Sequence, residues 1–239
     1  MAEPLATTPE RVLALAAHTK DADVNAGGLL GRWAASGSRV VLAVVTDSSR
    51  GTTRVAQDRI ELSLRRAGEQ RAAGDILGYA EIHFLGFPDG ELDTTERSRR
   101  AVANLIRTVR PDVVVTHDPW KAYELIPDHR TTGFLACDAV VAARDSLFFP
   151  ELEAAGLPPW RPRSLIFFAP EEPNAWADVA AVLDRKLDAV LCHRTHSLRG
   201  QLLGELDHQS LGALRAELKA EHHDESLATY VERFHVHTL

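Results

Sequence analysis

Residues 12–23, with the sequence VLALAAHTKDAD, decide the fold that we predict for this chain. The first six of these residues are all apolar, which is typical of a strand buried on both faces of a sheet. The apolar run ends abruptly at His18, and polar residues follow it. Open parallel sheets bind ligands beyond the carboxyl ends of their strands, so we expect the functional site to lie where this strand stops.

His18 and Asp21 follow the strand and are three residues apart. An imidazole nitrogen and a carboxylate from one tight turn can hold two adjacent corners of a metal's coordination sphere. The alternative is a polar loop in which the aspartate caps the next helix. This stretch alone leaves both interpretations open.

The composition is that of an ordinary globular protein. The chain has 239 residues, a formal net charge of -7, 45% hydrophobic residues and 26% charged residues. These values favour a single domain over residues 1–239 with a loose leader at residues 1–10, and they argue against nucleic-acid binding. We expect a cytoplasmic protein, because no apolar run has membrane-spanning length and the start lacks signal-peptide features. Cys137 and Cys192 are predicted to be small buried hydrophobes.

Strands and helices alternate along the chain. Apolar runs predict further strands at residues 39–46, 81–85, 112–116 and 164–169. Helical spacing predicts helices at 26–35 and 55–78, one that opens at the capping box 93–96, one from 128 to 143, and one after residue 174. Gly27 and Gly28 indicate close packing of the first helix on the sheet. The β-α-β order predicts an α/β fold with a mostly parallel sheet.

Several strands end in polar residues, and all of these ends belong to one rim of the predicted sheet. Asp89 follows the third strand, His117 and Asp118 follow the fourth, and Asp128 and His129 open a helix soon afterwards. His129 is the natural third metal ligand. A set of two histidines and one aspartate leaves a coordination position open for water or substrate, as catalytic metal sites do.

Two histidine pairs lie near the carboxyl end of the chain. His193 and His196 follow a predicted helix, and we favour a role at the helix dipole or the substrate rim over a second metal pair. The tail, from residue 230, alternates and predicts an edge strand with His235 and His237 on one face. Metal binding by that second pair is the less favoured alternative. Residues 150–162 are predicted to form a surface loop.

Two motifs resemble those of the LmbE/PIG-L family of metal-dependent N-acetylglucosaminyl de-N-acetylases. That family has A-H-P-D-D-x-E after its first strand, and residues 17–23 read AHTKDAD here. It later has T-H-D-P-W and H-P-D-H-R, and residues 116–120 and 126–130 read THDPW and IPDHR. Residues 45–47 and 85–90 and the spacing of Arg66 and Glu69 also look like family landmarks. The resemblance covers about residues 10–200.

The resemblance implies a Rossmann-like three-layer sandwich with a zinc ion, or another divalent metal, held by His18, Asp21 and His129. It also implies two departures from the family. The general-base aspartate of the family falls on Lys20, and a histidine that assists at the oxyanion or leaving group falls on Ile126. Both departures concern proton transfer, whereas the metal positions match.

The expected function is a zinc-dependent deacetylase or amidase for an N-acylated sugar or a similar small metabolite. Asp128, Asp23 or Glu124 could replace the general base at Lys20, and Arg66, Asp89, His117 and Glu124 are assigned to the substrate side of the site. The alternative is a catalytically impaired family member that keeps the metal pocket as a ligand-binding or partner protein. A homo-oligomer is compatible with either function, and no membrane partner is expected.

Overall fold

The computed structural model describes residues 2–52, 58–198 and 201–239. Its helices are α1 (Asp21–Ala35), α2 (Arg59–Leu77), α3 (Glu96–Val109), α4 (Pro127–Ala143), α5 (Pro150–Ala154), α6 (Leu183–Leu191) and α7 (His208–Glu221). Its strands are β1 (Glu3–Pro4), β2 (Arg11–Ala16), β3 (Arg39–Thr46), β4 (Glu81–Phe87), β5 (Val113–His117), β6 (Ser164–Phe168), β7 (Ala175–Asp178), β8 (Ser197–Leu198), β9 (Gln201–Leu202), β10 (His223–Asp224) and β11 (Thr229–Thr238).

The central sheet has the strand order β1-β7-β11-β6-β5-β2-β3-β4, and β10 pairs with β11. Strands β2 to β6 are parallel to their sheet neighbours among themselves, whereas β11 runs antiparallel to both β6 and β7. The prediction of an α/β fold with a mostly parallel sheet is confirmed. The parallel strands carry their carboxyl ends to one rim, where the candidate site lies.

The sheet separates two hydrophobic cores, as a three-layer sandwich requires. Along β2, Val12, Ala14 and Ala16 face the core that contains α1, α6 and α7. Leu13 and Leu15 face the other core, which contains α3 and α4. All five are at most 1% exposed, which explains why an uninterrupted apolar run forms this strand.

Helix α1 packs closely on its neighbours, as its glycines predict. A Cβ on Gly28 would lie 2.6 Å from Val179 Cγ1, so a larger residue would displace the packed chain. The helix begins at Asp21, earlier than the predicted residue 26, because Asp21 and Asp23 form its acidic first turn. The predicted start of α2 at residue 55 falls outside the described residues.

The prediction of a loose leader is wrong for residues 3–9. Strand β1 pairs in parallel with β7, and Leu5 N donates to Trp176 O at 2.7 Å. Trp33 Nε1 and Ser38 Oγ donate to the carbonyls of Thr7 and Pro9. Backbone groups of the leader therefore have partners on the folded domain.

The prediction that the tail forms an edge strand is also wrong. Strand β11 lies inside the sheet, paired with β6 through residues 234–238 and with β7 through residues 231–234. Helix α5 lies within residues 150–162, so the prediction of a loop is wrong for residues 150–154. Strand β7 and helix α7 were not predicted. Cys137 and Cys192 are half-buried free thiols.

A buried ion pair joins α6 to the C-terminal strand. Lys186 Nζ lies 2.7 Å from Glu232 Oε1, and the two side chains are 1% and 3% exposed. Glu232 also accepts hydrogen bonds from the backbone N–H groups of Gly28 and Leu29 at 2.8 Å. The pair thus connects α6, β11 and the middle of α1.

We expect Lys186→Met to lower the free energy of unfolding by about 3–5 kcal/mol, because it leaves the Glu232 carboxylate buried without its cation. Urea denaturation monitored by circular dichroism measures this loss. The matched control is Lys219→Met, which breaks a pair with Asp184 whose side chains are 41% and 66% exposed. The control should cost less than about 1 kcal/mol. Equal losses in the two variants would contradict the role given to the buried pair.

Candidate metal and active site

Hydrogen bonds hold the turn between β2 and α1 at the rim of the sheet. His18 N donates to Asp21 Oδ2 at 2.9 Å, which closes the turn on the first residue of the helix. Ala17 N donates to His117 Nε2 at 3.0 Å, which ties the turn to the end of β5. The carboxylate of Asp21 is therefore held at a fixed place beside the ends of two parallel strands.

The three predicted metal ligands meet at this carboxylate. Asp21 Oδ2 lies 3.2 Å from His18 Nδ1 and 3.3 Å from His129 Nε2, and the His129 side chain comes from the first turn of α4. A tetrahedral zinc ion with bonds of about 2.0–2.2 Å separates its ligand atoms by about 3.3–3.6 Å. The spacing of these donors fits such an ion.

Carboxylates surround the His18 imidazole. Its Nε2 lies 3.3 Å from Asp89 Oδ1 and 3.3 Å from Asp128 Oδ2, in addition to the Asp21 contact at Nδ1. Burial alone would lower the pKa of His18, but its hydrogen bonds with Asp128, Asp21 and Asp89 raise that pKa to about 12. Three carboxylates around one imidazole form a charge arrangement that a divalent cation would neutralise. Imidazole and carboxylate ligands suit zinc and other first-row divalent metals.

Asp128 has one carboxylate oxygen in use and one without a partner. Oδ2 accepts a hydrogen bond from Gly90 N at 2.6 Å and contacts His18, whereas Oδ1 is buried and has no hydrogen-bond partner. Burial would raise the pKa of Asp128, but the hydrogen bonds from His18 and Gly90 lower it, so the group is ionised at neutral pH. A buried acceptor without a donor is uncommon in folded proteins. Oδ1 therefore keeps an acceptor lone pair that no group of the protein uses.

Lys20 directs its ammonium group to the β8 strand. Its Nζ donates to Ser197 O at 3.1 Å, and its backbone N donates to Gln70 Oε1 at 2.9 Å. The backbone adopts a positive φ of 84°, which is uncommon for a residue other than glycine. Burial lowers the pKa of Lys20, Asp21 raises it and Arg66 lowers it further.

Asp23 lies in a buried hydrogen-bond network. Its carboxylate, which is 0% exposed, accepts from Gln70 Nε2 and Tyr79 Oη and lies 2.8 Å from His193 Nε2. These partners leave Asp23 unsuited to the base role predicted as an alternative. The network includes Gln70 and Tyr79, which the sequence did not reveal because nothing in their spacing distinguishes them from ordinary helix and loop residues.

Two residues predicted on the substrate side are almost fully buried. Arg66 is 2% exposed and donates to the carbonyls of Ser48 and Thr195, so it holds the loop behind the rim. His117 is 5% exposed, and its ring stacks on His129 with centroids 4.4 Å apart. Arg66 thus contacts the loop carbonyls, and His117 contacts the His129 ring and Ala17 N.

Glu124 and Asp89 are the other two residues predicted on the substrate side. Glu124 Oε1 lies 3.6 Å from His129 Nδ1, on the side of the ring opposite the Asp21 contact. Outer carboxylates of this kind orient histidine ligands and set their tautomer. Asp89 Oδ2 accepts from Arg50 N at 2.8 Å while Oδ1 faces His18. Ile126, which is 46% exposed, is the N-cap residue of α4.

The tail histidines lie apart from the metal cluster. His235 and His237 line a cavity of about 600 Å³ together with Asp118, Trp120 and Phe167. His235 Nδ1 lies 2.8 Å from Glu172 O. Neither histidine belongs to a group of potential metal ligands within the described ranges, so the less favoured metal interpretation gains no support. Within those same ranges, none of the helices has the length and apolarity needed to cross a membrane.

Comparisons with known proteins identify the family of this chain. The family model for PIG-L, described as GlcNAc-PI de-N-acetylase, matches residues 13–140. The diacetylchitobiose deacetylase of Thermococcus kodakarensis is 37% identical over 186 residues, which cover 78% of this chain and 70% of that protein. A 1D-myo-inositol 2-acetamido-2-deoxy-alpha-D-glucopyranoside deacetylase of Geodermatophilus obscurus is 33% identical over 62% of this chain and 59% of its own length.

A solved structure gives the same result for the fold. The N,N'-diacetylchitobiose deacetylase from Pyrococcus horikoshii, in complex with its inhibitor MPG, has a TM-score of 0.85 at 26% sequence identity. The match covers 96% of this chain and 84% of that one. Both the metal cluster and the motif of residues 116–120 fall within the span of the family model. The chain belongs to the PIG-L family of N-deacetylases.

Proposed function

We propose that this protein is a zinc-dependent deacetylase of small glycosides that contain an N-acetylated amino sugar. The relatives named above are deacetylases of diacetylchitobiose and of a GlcNAc-inositol, which supports this substrate class. The observation that carries the proposal is the Asp21 carboxylate, with an imidazole nitrogen of His18 at 3.2 Å and one of His129 at 3.3 Å. A zinc ion at these ligands would acidify a water molecule and polarise the amide carbonyl.

Other residues of the chain transfer the proton and support the metal ligands. Asp128 Oδ1 accepts a proton from the attacking water and returns it to the nitrogen of the departing amine. The water oxygen forms the new bond to the acyl carbon as the C–N bond breaks, which yields acetate and the free amino sugar. Glu124 orients His129 at its Nδ1 atom, and the stacked His117 ring supports the His129 ring. Burial lowers the pKa of His117, so its neutral ring adds no positive charge there.

The substrate is tested by measuring acetate release from a panel of N-acetylated compounds. We expect turnover of diacetylchitobiose or of a GlcNAc glycoside by the zinc-loaded protein, and none of an N-acetylated amino acid. The impaired alternative rests on the resemblance of residues 17–23 to the family motif, in which Lys20 takes the position of the general-base aspartate. Stoichiometric zinc binding without acetate release from any member of the panel would favour that alternative.

Lys20→Asp measures whether a general base is missing. Because Asp128 already offers a free oxygen, we expect kcat to rise by less than about 10-fold, well short of the 100-fold or more that a missing base would restore. Lys20→Met is the matched control, because it removes the positive charge without adding a carboxylate. Both variants should bind zinc more tightly than the wild type, since like charge beside a cation is unfavourable. A gain of 100-fold or more in kcat for Lys20→Asp together with Ile126→His would show that the wild type lacks a working base.

A further inference from the structure

A second group of potential metal ligands lies behind the catalytic turn. Glu69 on α2 and the pair His193 and His196, in the turn after α6, each offer one ligand atom, and these atoms lie within 4.8 Å of one another. His193 is 0% exposed and His196 is 7% exposed. Both histidines are thus buried, which does not fit a place on the substrate rim, one of the two roles predicted for them. We propose that these three residues bind a second first-row divalent cation.

Each of the three ligands is held by an outer partner. His193 Nε2 lies 2.8 Å from Asp23 Oδ2, and His196 Nε2 lies 2.8 Å from Thr19 Oγ1. The Glu69 carboxylate accepts from Thr195 N at 2.9 Å and from Thr195 Oγ1 at 2.7 Å. Metal-binding histidines commonly donate their second ring nitrogen to a carboxylate or another acceptor, and metal-binding carboxylates are themselves hydrogen-bonded. The cluster has this arrangement at all three positions.

One buried nitrogen of the cluster has no partner. His193 Nδ1 is buried and makes no hydrogen bond. In the neutral tautomer that donates from Nε2 to the Asp23 carboxylate, Nδ1 carries a lone pair, and it faces no donor. A buried acceptor without a partner has lost its hydration without compensation. A metal ion would use that lone pair, whereas a purely structural histidine bonded to Asp23 leaves it unexplained.

Two neighbouring cations affect the protonation state of His196 and the affinity of the cluster for a metal ion. Arg66 donates to Thr195 O and to carbonyls of the 48–51 loop, and Lys20 donates to Ser197 O, so both cations lie nearby. Burial, followed by Arg66 and Lys20, lowers the pKa of His196 well below its ordinary value, which keeps the ring in the neutral form that binds metals. The same two cations oppose a divalent ion. We therefore expect this site to bind zinc more weakly than His18, Asp21 and His129 do.

An ion at this site would join three separate parts of the chain. It would connect α2 to the turn after α6, and through His196 it would fix Thr19, which directly precedes Lys20 and follows the ligand His18. Thr19 N also donates to Ser48 Oγ at 3.0 Å. The second ion would therefore stabilise the turn that presents the first metal ligand, without contact with substrate.

The test is a zinc titration of the chelator-stripped full chain by calorimetry, with bound metal measured by elemental analysis. The wild type should bind two equivalents, the second more weakly, and His196→Gln should bind one, with affinity at the second site reduced by more than about 100-fold. His129→Ala should lose the tight equivalent and keep the weak one. His208→Gln, at an exposed position on α7, is the matched control and should keep both. One equivalent in the wild type, or two in His196→Gln, would overturn the proposal.

A second measurement remains informative where a variant fails to fold. Crystals of the wild type soaked in zinc and collected at the zinc absorption edge should show two anomalous peaks, one of them between Glu69 and His193. Glu69→Gln crystals treated in the same way should lose that peak and keep the one beside Asp21. A wild-type map with a peak at Asp21 and none at Glu69 would contradict the proposal and would leave the proposed deacetylase site intact.

Discussion

Asp128→Asn is expected to lower kcat for acetate release by about 100- to 10,000-fold, because it removes the oxygen proposed to accept and return the proton. The amide keeps the size of the side chain and leaves an oxygen to accept from Gly90 N, so the fold and the metal ligands should be preserved. Steady-state kinetics with the zinc-loaded variant measures the loss, and bound zinc is determined on the same sample.

The control for this prediction is Asp23→Asn. Asp23 is as buried as Asp128, but its carboxylate is occupied by Gln70, Tyr79 and His193. We expect its substitution to affect stability more than the chemical step. If Asp23→Asn lowers kcat as far as Asp128→Asn does at equal folded fraction, Asp128 is not the specific base.

His129→Ala is expected to remove the tightly bound zinc and with it at least about 1,000-fold of kcat/KM. Metal polarisation of a carbonyl contributes several kcal/mol, and each 1.36 kcal/mol corresponds to a factor of ten in rate. The matched control is His235→Ala, since His235 lies in the separate cavity beside Trp120. That control should bind zinc and turn over substrate like the wild type. Full zinc binding by His129→Ala would show that another residue completes the ligand set.

The parallel core of the fold could be predicted because the decisive signal is local. Residues 12–17 form an unbroken apolar run that makes up most of β2, and the polar residues after it mark the rim where His18 and Asp21 come together with His129. The place of β11 could not be predicted, since an alternating pattern fits an edge strand and an internal antiparallel strand equally well. Its pairing with β6 and β7 depends on contacts that are distant in sequence.

Within the site, only the residues of the sequence motifs could be predicted. His18 and Asp21 lie just beyond the end of β2, and His129 lies in the first turn of α4, so the topology brings them to one rim. The burial of Asp23 depends on Tyr79 and His193, which come from different elements, and no local pattern connects them. Arg66 was expected near a substrate because a long cationic side chain can reach the rim, whereas carbonyl groups of a neighbouring loop engage it behind that rim.

The most direct test of the deacetylase proposal is acetate release measured as zinc is returned stepwise to the chelator-stripped wild type. With diacetylchitobiose or the best GlcNAc glycoside as substrate, activity should be absent without metal and should rise in proportion to the first equivalent bound at His18, Asp21 and His129. Activity should reach its maximum at one bound equivalent, and the second equivalent should change thermal stability alone. Acetate release by the metal-free protein, or release that does not follow the first equivalent, would contradict a zinc-dependent deacetylase at this site.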